Sequence, residues 1–344
     1  MRRPFPHLVI FPILLVLACV DPTQRSGSDI ADTGADHELV AIEQRILDDP
    51  ANAALYIERA QLNRLRGRFA EAIEDHRRAL TIDSANADYR IGLGDLYYTT
   101  LKVDAAREQF ELALKIDPES NIARLKMAEM RMMQRQYEQA MALVNEALRS
   151  DPGLAQGYFL KGWMHMETGD TALAISSFRT SVERDPSNYK GFMQLGLLHA
   201  YSGDPLALQY YSTATELRPE EVEAWYNKGM FAQENGMDSL ALDCYKRIRD
   251  LDPGNATAWY NSGYVRLEHL NDVPQAIRDF TAATKLLPGY YQAWYNRGLA
   301  YERKGVMDSA AMDYREALRL EPGYDPAARG MTRLETKGLR VVRP

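Results

Sequence analysis

A chain of 344 residues with a formal charge of −7 and 26% charged residues has an ordinary soluble composition, and its acidic balance gives nucleic-acid binding no electrostatic support. Two cysteines, Cys19 and Cys244, exclude a disulfide framework of the small secreted kind. Length alone suggests about two domains.

Residues 1–18 read as an export signal. Arg2 and Arg3 precede an apolar run over residues 8–18, interrupted by Pro12. The run is shorter than the roughly 20 residues a membrane-spanning helix needs. It ends Val16-Leu17-Ala18-Cys19, which resembles the lipobox of bacterial lipoproteins. That resemblance implies that Cys19 becomes the first mature residue and carries acyl chains. The alternative is a plain secretory signal with an incidental cysteine. Residues 20–36 are rich in Asp, Ser, Gly and Thr and lack a helical apolar stripe, so residues 19–36 are expected to form a lipidated cysteine and flexible tether. A random coil of about 17 residues spans about 20–25 Å. Such a tether would hold the body at a membrane of the bacterial cell envelope, the outer membrane being favoured.

Residues 37–48 read as a lone helix, an N-terminal cap within 37–50. After it, prolines mark a period. Pro118, Pro152, Pro186, Pro219, Pro253, Pro288 and Pro322 follow one another at 33 to 35 residues, and Pro50 lies two periods before Pro118 with Ser84 between. Ten residues after most of these comes a small residue: Ala60, Gly94, Ala128, Gly162, Gly196, Gly229, Gly263, Gly298. Near mid-period stands an alanine, and four residues later a ring or apolar residue: His76, Phe110, Val144, Phe178, Tyr211, Tyr245, Phe280, Tyr314. Each period holds two apolar-periodic segments of helical length, split by breaks such as Thr168-Gly169-Asp170. Small residues permit close helix crossing, and proline closes each unit. No single helix pair can bury its apolar face alone, so the units must stack. One interval is a residue short around Gly203-Asp204-Pro205, and one is a residue long around 270–274. Both changes are expected at the turn inside a pair.

The pattern resembles the tetratricopeptide repeat family, best in Trp294, Gly298, Tyr301, Ala310, Tyr314, Ala317 and Pro322. The resemblance spans eight repeats over residues 51–322. It implies an all-α fold: a right-handed superhelical solenoid of eight helix-turn-helix repeats with helical caps. The second cap is expected at 325–337, within a C-terminal segment 323–344 that carries a basic tail.

Catalytic signatures are missing. The chain has no His-Glu-x-x-His, Cys-x-x-Cys, phosphate loop or Gly-x-Ser-x-Gly. His165 and His199 occupy equivalent slots of adjacent repeats, too far apart for a shared metal. Neither enzyme activity, a metal nor a cofactor is expected.

The phrase Ala-Trp-Tyr-Asn recurs at 224–227, 258–261 and 293–296, each time followed by a residue and glycine. In the family the first helix of each repeat lines a concave groove. The resemblance therefore assigns Ala, Trp and Gly to packing, and Tyr226, Tyr260, Tyr295 with Asn227, Asn261, Asn296 and Gln194 to peptide binding. The asparagines resemble the ladder in the repeats of the O-GlcNAc transferase superhelix, which grips peptide backbone. A carboxamide both donates and accepts, which suits that task. The competing reading is that Asn is merely typical of the phrase. A clamp for a C-terminal carboxylate would need Lys, Asn and Arg, but those slots hold residues such as Ile57, Ile91, Leu125, Phe159, Trp163, Met193 and Leu197. Phe159, Trp163 and Met193 extend the expected binding strip. The resulting expectation is a membrane-tethered adaptor that binds a protein or peptide segment in its groove. The alternatives are a self-associating structural solenoid, with a homo-oligomer as its product, and a glycan- or peptidoglycan-binding module.

Overall fold

The computed structural model describes residues 32–337. Cys19, the export signal, residues 19–31 of the tether and the tail beyond Lys337 lie outside the described residues. The described residues hold 18 α-helices and one π-helical turn, with no strand. Contacts divide the chain into two compact units, Met1–Pro118 and Glu119–Pro344.

The first unit contains α1 (Asp32–Asp48), α2 (Ala53–Leu65), α3 (Phe69–Ile82), α4 (Ala87–Thr99) and α5 (Val103–Ile116). Helices α2/α3 and α4/α5 pair, and α1 covers the first pair through buried Ile42 and Ile46 against Leu55, Tyr56 and Ala79. Helix α1 starts at Asp32, so its first turn takes in residues 32–36, which the sequence pattern assigns to the tether. A first turn needs no apolar stripe, so the pattern marks only where packing begins.

The second unit contains α6 (Asn121–Met133), α7 (Tyr137–Ser150), α8 (Ala155–Glu167), α9 (Thr171–Arg184), α10 (Tyr189–Tyr201), α11 (Leu206–Leu217), α12 (Val222–Glu234), α13 (Asp238–Leu251), α14 (Ala256–Tyr264), the π turn Val265–His269, α15 (Val273–Leu286), α16 (Tyr291–Lys304), α17 (Met307–Leu320) and α18 (Asp325–Thr336). The second unit holds six pairs, α6/α7 to α16/α17, the first unit holds two, and α18 caps the last pair.

Six of the eight pairs are closed by a glycine under a ring. A Cβ added at Gly94 would lie 2.5 Å from the Phe110 ring, at Gly162 2.6 Å from Phe178, and at Gly196 2.5 Å from Tyr211. At Gly229, Gly263 and Gly298 it would meet Tyr245, Phe280 and Tyr314 at 2.8–2.9 Å. The rings thus fill the volume a side chain would claim. They are buried to within 2% exposure, as is the mid-period alanine of every repeat. The two repeats with alanine in the small slot, Ala60 and Ala128, carry the smaller His76 and Val144 in the ring slot.

The turns repeat as strictly. After each first helix one residue takes positive φ: five glycines, and Leu101, Arg135 and Asn271. The next N–H then donates to the carbonyl five residues back, as in Asp170 to His165 (2.8 Å) and Val306 to Tyr301 (2.9 Å). In the long repeat it reaches six back, from Asp272 to Arg266 (2.7 Å), because the extra residue is absorbed inside the first helix as the π turn. This corrects the expected placement at 270–274. Arg303 of the next repeat donates to the Leu267 carbonyl at 2.8 Å and pairs with Glu268, holding the widened turn. The missing residue of the short repeat does fall in the turn, where Pro205 immediately precedes α11. Residues before the period prolines are extended, such as Asp117 (φ −123, ψ 91), and Asp83 before Ser84 is the same (φ −128, ψ 86).

Charge seals the C-terminal end. Glu302 is buried beneath α18, which raises its carboxyl pKa. Hydrogen bonds from Arg333, Tyr314 and Lys337 outweigh burial and hold it at about 2. In the first unit, His76 is buried, with Nδ1 3.1 Å from the Tyr89 carbonyl oxygen, and burial lowers its pKa.

Two outcomes are expected. Gly162→Ala should cost about 1–3 kcal/mol by overpacking. The double variant with Phe178→Val should be destabilised by about 1 kcal/mol less than the sum of the single changes, in a urea double-mutant cycle; strict additivity would refute the ring-over-glycine constraint. A histidine with a lowered folded pKa stabilises above its unfolded value of about 6.5 and loses that contribution as pH falls. The first unit should therefore unfold more readily at pH 5.5 than at 7.5, and His76→Leu should flatten that dependence in urea titrations.

Candidate functional site

The expected site residues separate by burial. Phe159, Met193, Asn261 and Asn296 are buried, at 6–8% exposure. Trp163, Gln194, Tyr226, Asn227, Tyr260 and Tyr295 are half-buried. Phe159 packs its ring 5.5 Å from Phe178, with Trp163 against the same cluster. It is core of the fourth repeat, sharing a buried cluster with Phe178, whose ring fills the space above Gly162.

The recurring phrase divides letter by letter. Ala224, Ala258 and Ala293 have no exposed surface. Trp225 and Trp294 donate their indole N–H to the carbonyls of Pro219 (2.9 Å) and Pro288 (2.8 Å), tying each first helix to the turn before it. Tyr56 makes the same link to Pro50 at 3.1 Å. Trp259 lies under the Arg249 guanidinium at 4.3 Å, and Trp294 under Arg297 at 4.5 Å.

The asparagines are not equivalent. Asn296 Nδ2 donates to the Tyr260 hydroxyl at 3.0 Å, joining α16 to α14. Asn261 Nδ2 approaches the Met230 sulfur at 3.6 Å, and the Tyr245 hydroxyl, which donates to Gln233 Oε1 at 2.9 Å, lies 3.3 Å from that sulfur. These two amides are engaged between repeats. Asn227 has no side-chain hydrogen bond to another described residue, and the buried Gln194 Oε1 has no partner among them.

The tyrosines form a band. Tyr260 stacks on Tyr290 at 4.8 Å, Tyr295 meets Tyr324 at 5.4 Å, and Tyr291 meets Tyr324 at 4.9 Å. Burial pushes the Tyr290 phenol up to about 12 and raises Tyr260 further. Tyr290 and Tyr324 were not among the expected residues. Their signal was a second repeated phrase, Pro-Gly-Tyr at 288–290 and 322–324, which sets a tyrosine at the N-cap of α16 and of α18. Beside the expected strip, Leu197 and Tyr201 stand four apart on α10 at 43% and 79% exposure.

Histidine chemistry is local. His199 Nδ1 lies 2.8 Å from Asp204, and His269 Nδ1 lies 2.6 Å from Asp238. No group of three metal-ligating side chains gathers among the described residues, and none of their helices is long and apolar enough to cross a membrane. Cys244 is fully buried, and burial pushes its thiol up to about 11.

Family models described as tetratricopeptide repeat match residues 64–126, 102–158, 155–188, 193–256 and 266–325. Among solved structures, the C-terminal part of a TPR repeat-containing protein from Cytophaga hutchinsonii is 18% identical, with a TM-score of 0.60, over 72% of this chain and 99% of that one. It bears on the fold alone. MamA protein is 25% identical over 55% of this chain and 98% of its own, with a TM-score of 0.46. YrrB, described as a TPR protein with an unusual peptide-binding site, is 22% identical over 66% of this chain and 99% of its own, with a TM-score of 0.41. No curated protein matches the sequence.

Asn296→Ala should lower stability by about 0.5–1.5 kcal/mol, the worth of its bond to Tyr260, whereas Asn227→Ala should be nearly neutral. Urea unfolding of both variants checks this, and equal costs would contradict the division.

Proposed function

The chain belongs to the tetratricopeptide repeat family, and from that premise we propose that it is a membrane-tethered adaptor holding a protein or peptide segment along its first helices at the cell envelope. The observation that carries the reading is the exposure of Leu197 and Tyr201, at 43% and 79%. Ring-over-glycine packing leaves these two side chains uncovered, on the same helix as the half-buried Gln194. A packed repeat has no use for an uncovered Leu–Tyr pair; a partner does. Trp163 on α8 and Tyr226 and Asn227 on α12 continue the half-buried strip on neighbouring first helices. In this reading the chain supplies positions for its partner and no catalytic group. Cys19 supplies the anchor through acyl chains, and residues between it and α1 supply reach.

Two measurements test the halves separately. Leu197→Ser with Tyr201→Ser should keep the far-UV circular dichroism and change stability by about 0.5 kcal/mol or less. It should lose a specific protein from affinity capture out of native membranes. Identical captures would overturn the groove, and a concentration-dependent mass that disappears in the variant would assign the surface to self-association. Cys19→Ser should move the protein from the membrane fraction to the soluble one; retention on the membrane would overturn the anchor.

A further inference from the structure

Resting on that scaffold reading, we infer that the tyrosine band of the last three repeats is a site for a basic, proline-rich segment in the polyproline II conformation. The band offers ring surface and hydroxyl donors. No described residue accepts a hydrogen bond from Tyr226, Tyr291 or Tyr295, and Tyr260, which accepts from Asn296, keeps its own proton to donate. Of the three carboxamides in the recurring phrase, those of Asn261 and Asn296 are buried between repeats, and that of Asn227 stays beside Tyr226.

Ring surface with free hydroxyl donors suits a proline-rich segment, which offers apolar rings and backbone carbonyls and has few N–H groups. Its conformation forms without the surface, which lowers the entropic cost of binding. One turn of polyproline II advances about 9 Å, which sets the interval at which its carbonyls recur along the band.

Charge states the rest. Glu223, Tyr226, Met230 and Glu234 follow at helical spacing along one stripe of α12. Glu223 and Glu234 are exposed and form no ion pair with another described residue. An uncompensated carboxylate at each end of the Tyr226 stripe calls for cationic residues flanking the prolines.

The experiment is isothermal titration of the full-length protein with a synthetic nine-proline peptide carrying two terminal arginines. A serine–valine peptide of the same length and charge serves as the control. Saturable binding of the proline peptide is expected, with weaker binding of the control. Tyr226→Phe with Tyr295→Phe keeps both rings and the fold, as checked by the unfolding midpoint. Losing two hydroxyl donors should weaken binding about fivefold to a hundredfold. Glu223→Gln with Glu234→Gln should remove most of its salt dependence. No binding at millimolar peptide, equal binding of the control, or an unchanged affinity in the Tyr→Phe variant would each overturn the inference. So would chitotetraose binding with the same tyrosine dependence, which would give the band to glycans. If the proline peptide fails while Leu197→Ser with Tyr201→Ser still loses its captured protein, only this inference falls and the scaffold reading stands.

Discussion

The close approach of the two helices in each repeat is the constraint on which the remainder depends. A ring can lie flat on a helix only where that helix lacks a Cβ, and six repeats meet the condition with glycine facing Phe or Tyr. The other two carry alanine in the small slot: Ala128 shares a buried cluster with Val144, whereas the His76 ring lies against Gly92 of the next repeat. Where ring and glycine meet, what recurs is a sum of volumes. Dense interiors are sensitive to a single methylene, so neither member of a pair changes freely by itself.

This packing explains why one phrase can carry unequal roles in its copies. Alanine and glycine are consumed within the repeat, and tryptophan is held to the preceding turn by its indole N–H or beneath an arginine. The amide at the end of the phrase lies at the border between repeats. Whether it faces a neighbour or solvent depends on the preceding unit: Tyr260 receives Asn296, Met230 receives Asn261, and nothing among the described residues receives Asn227. A ladder of identical letters is therefore not a ladder of identical environments.

Departures from the period are handled by different means. Loss of a residue after Gly203 shortens a turn, which has little packing to disturb. Gain of one before Asn271 widens a helix into a π turn, leaving the adjoining turn its positive-φ residue and its closing hydrogen bond. The widened turn then needs support, and Arg303 supplies it from the next repeat. On the eighth repeat a buried carboxylate, Glu302, is clamped by Arg333 and Lys337 at the end of the capping helix.

The sequence by itself determined the repeat, its period, the helix pairs and the ring-and-glycine core, because these are local spacings imposed on every copy by the same packing problem. The family resemblance, rather than spacing, implied that Ala, Trp and Gly of the recurring phrase are scaffold. Only the tertiary structure decided which tyrosines touch, which asparagines are engaged, and that Leu197 and Tyr201 stay uncovered, since each outcome depends on the unit packed alongside. Tyr290 and Tyr324 belong to a different phrase from Tyr260 and Tyr295, yet the fold brings their rings together at 4.8 and 5.4 Å. Periodicity places a side chain on a face of its helix; the neighbouring repeat determines whether that face meets a partner.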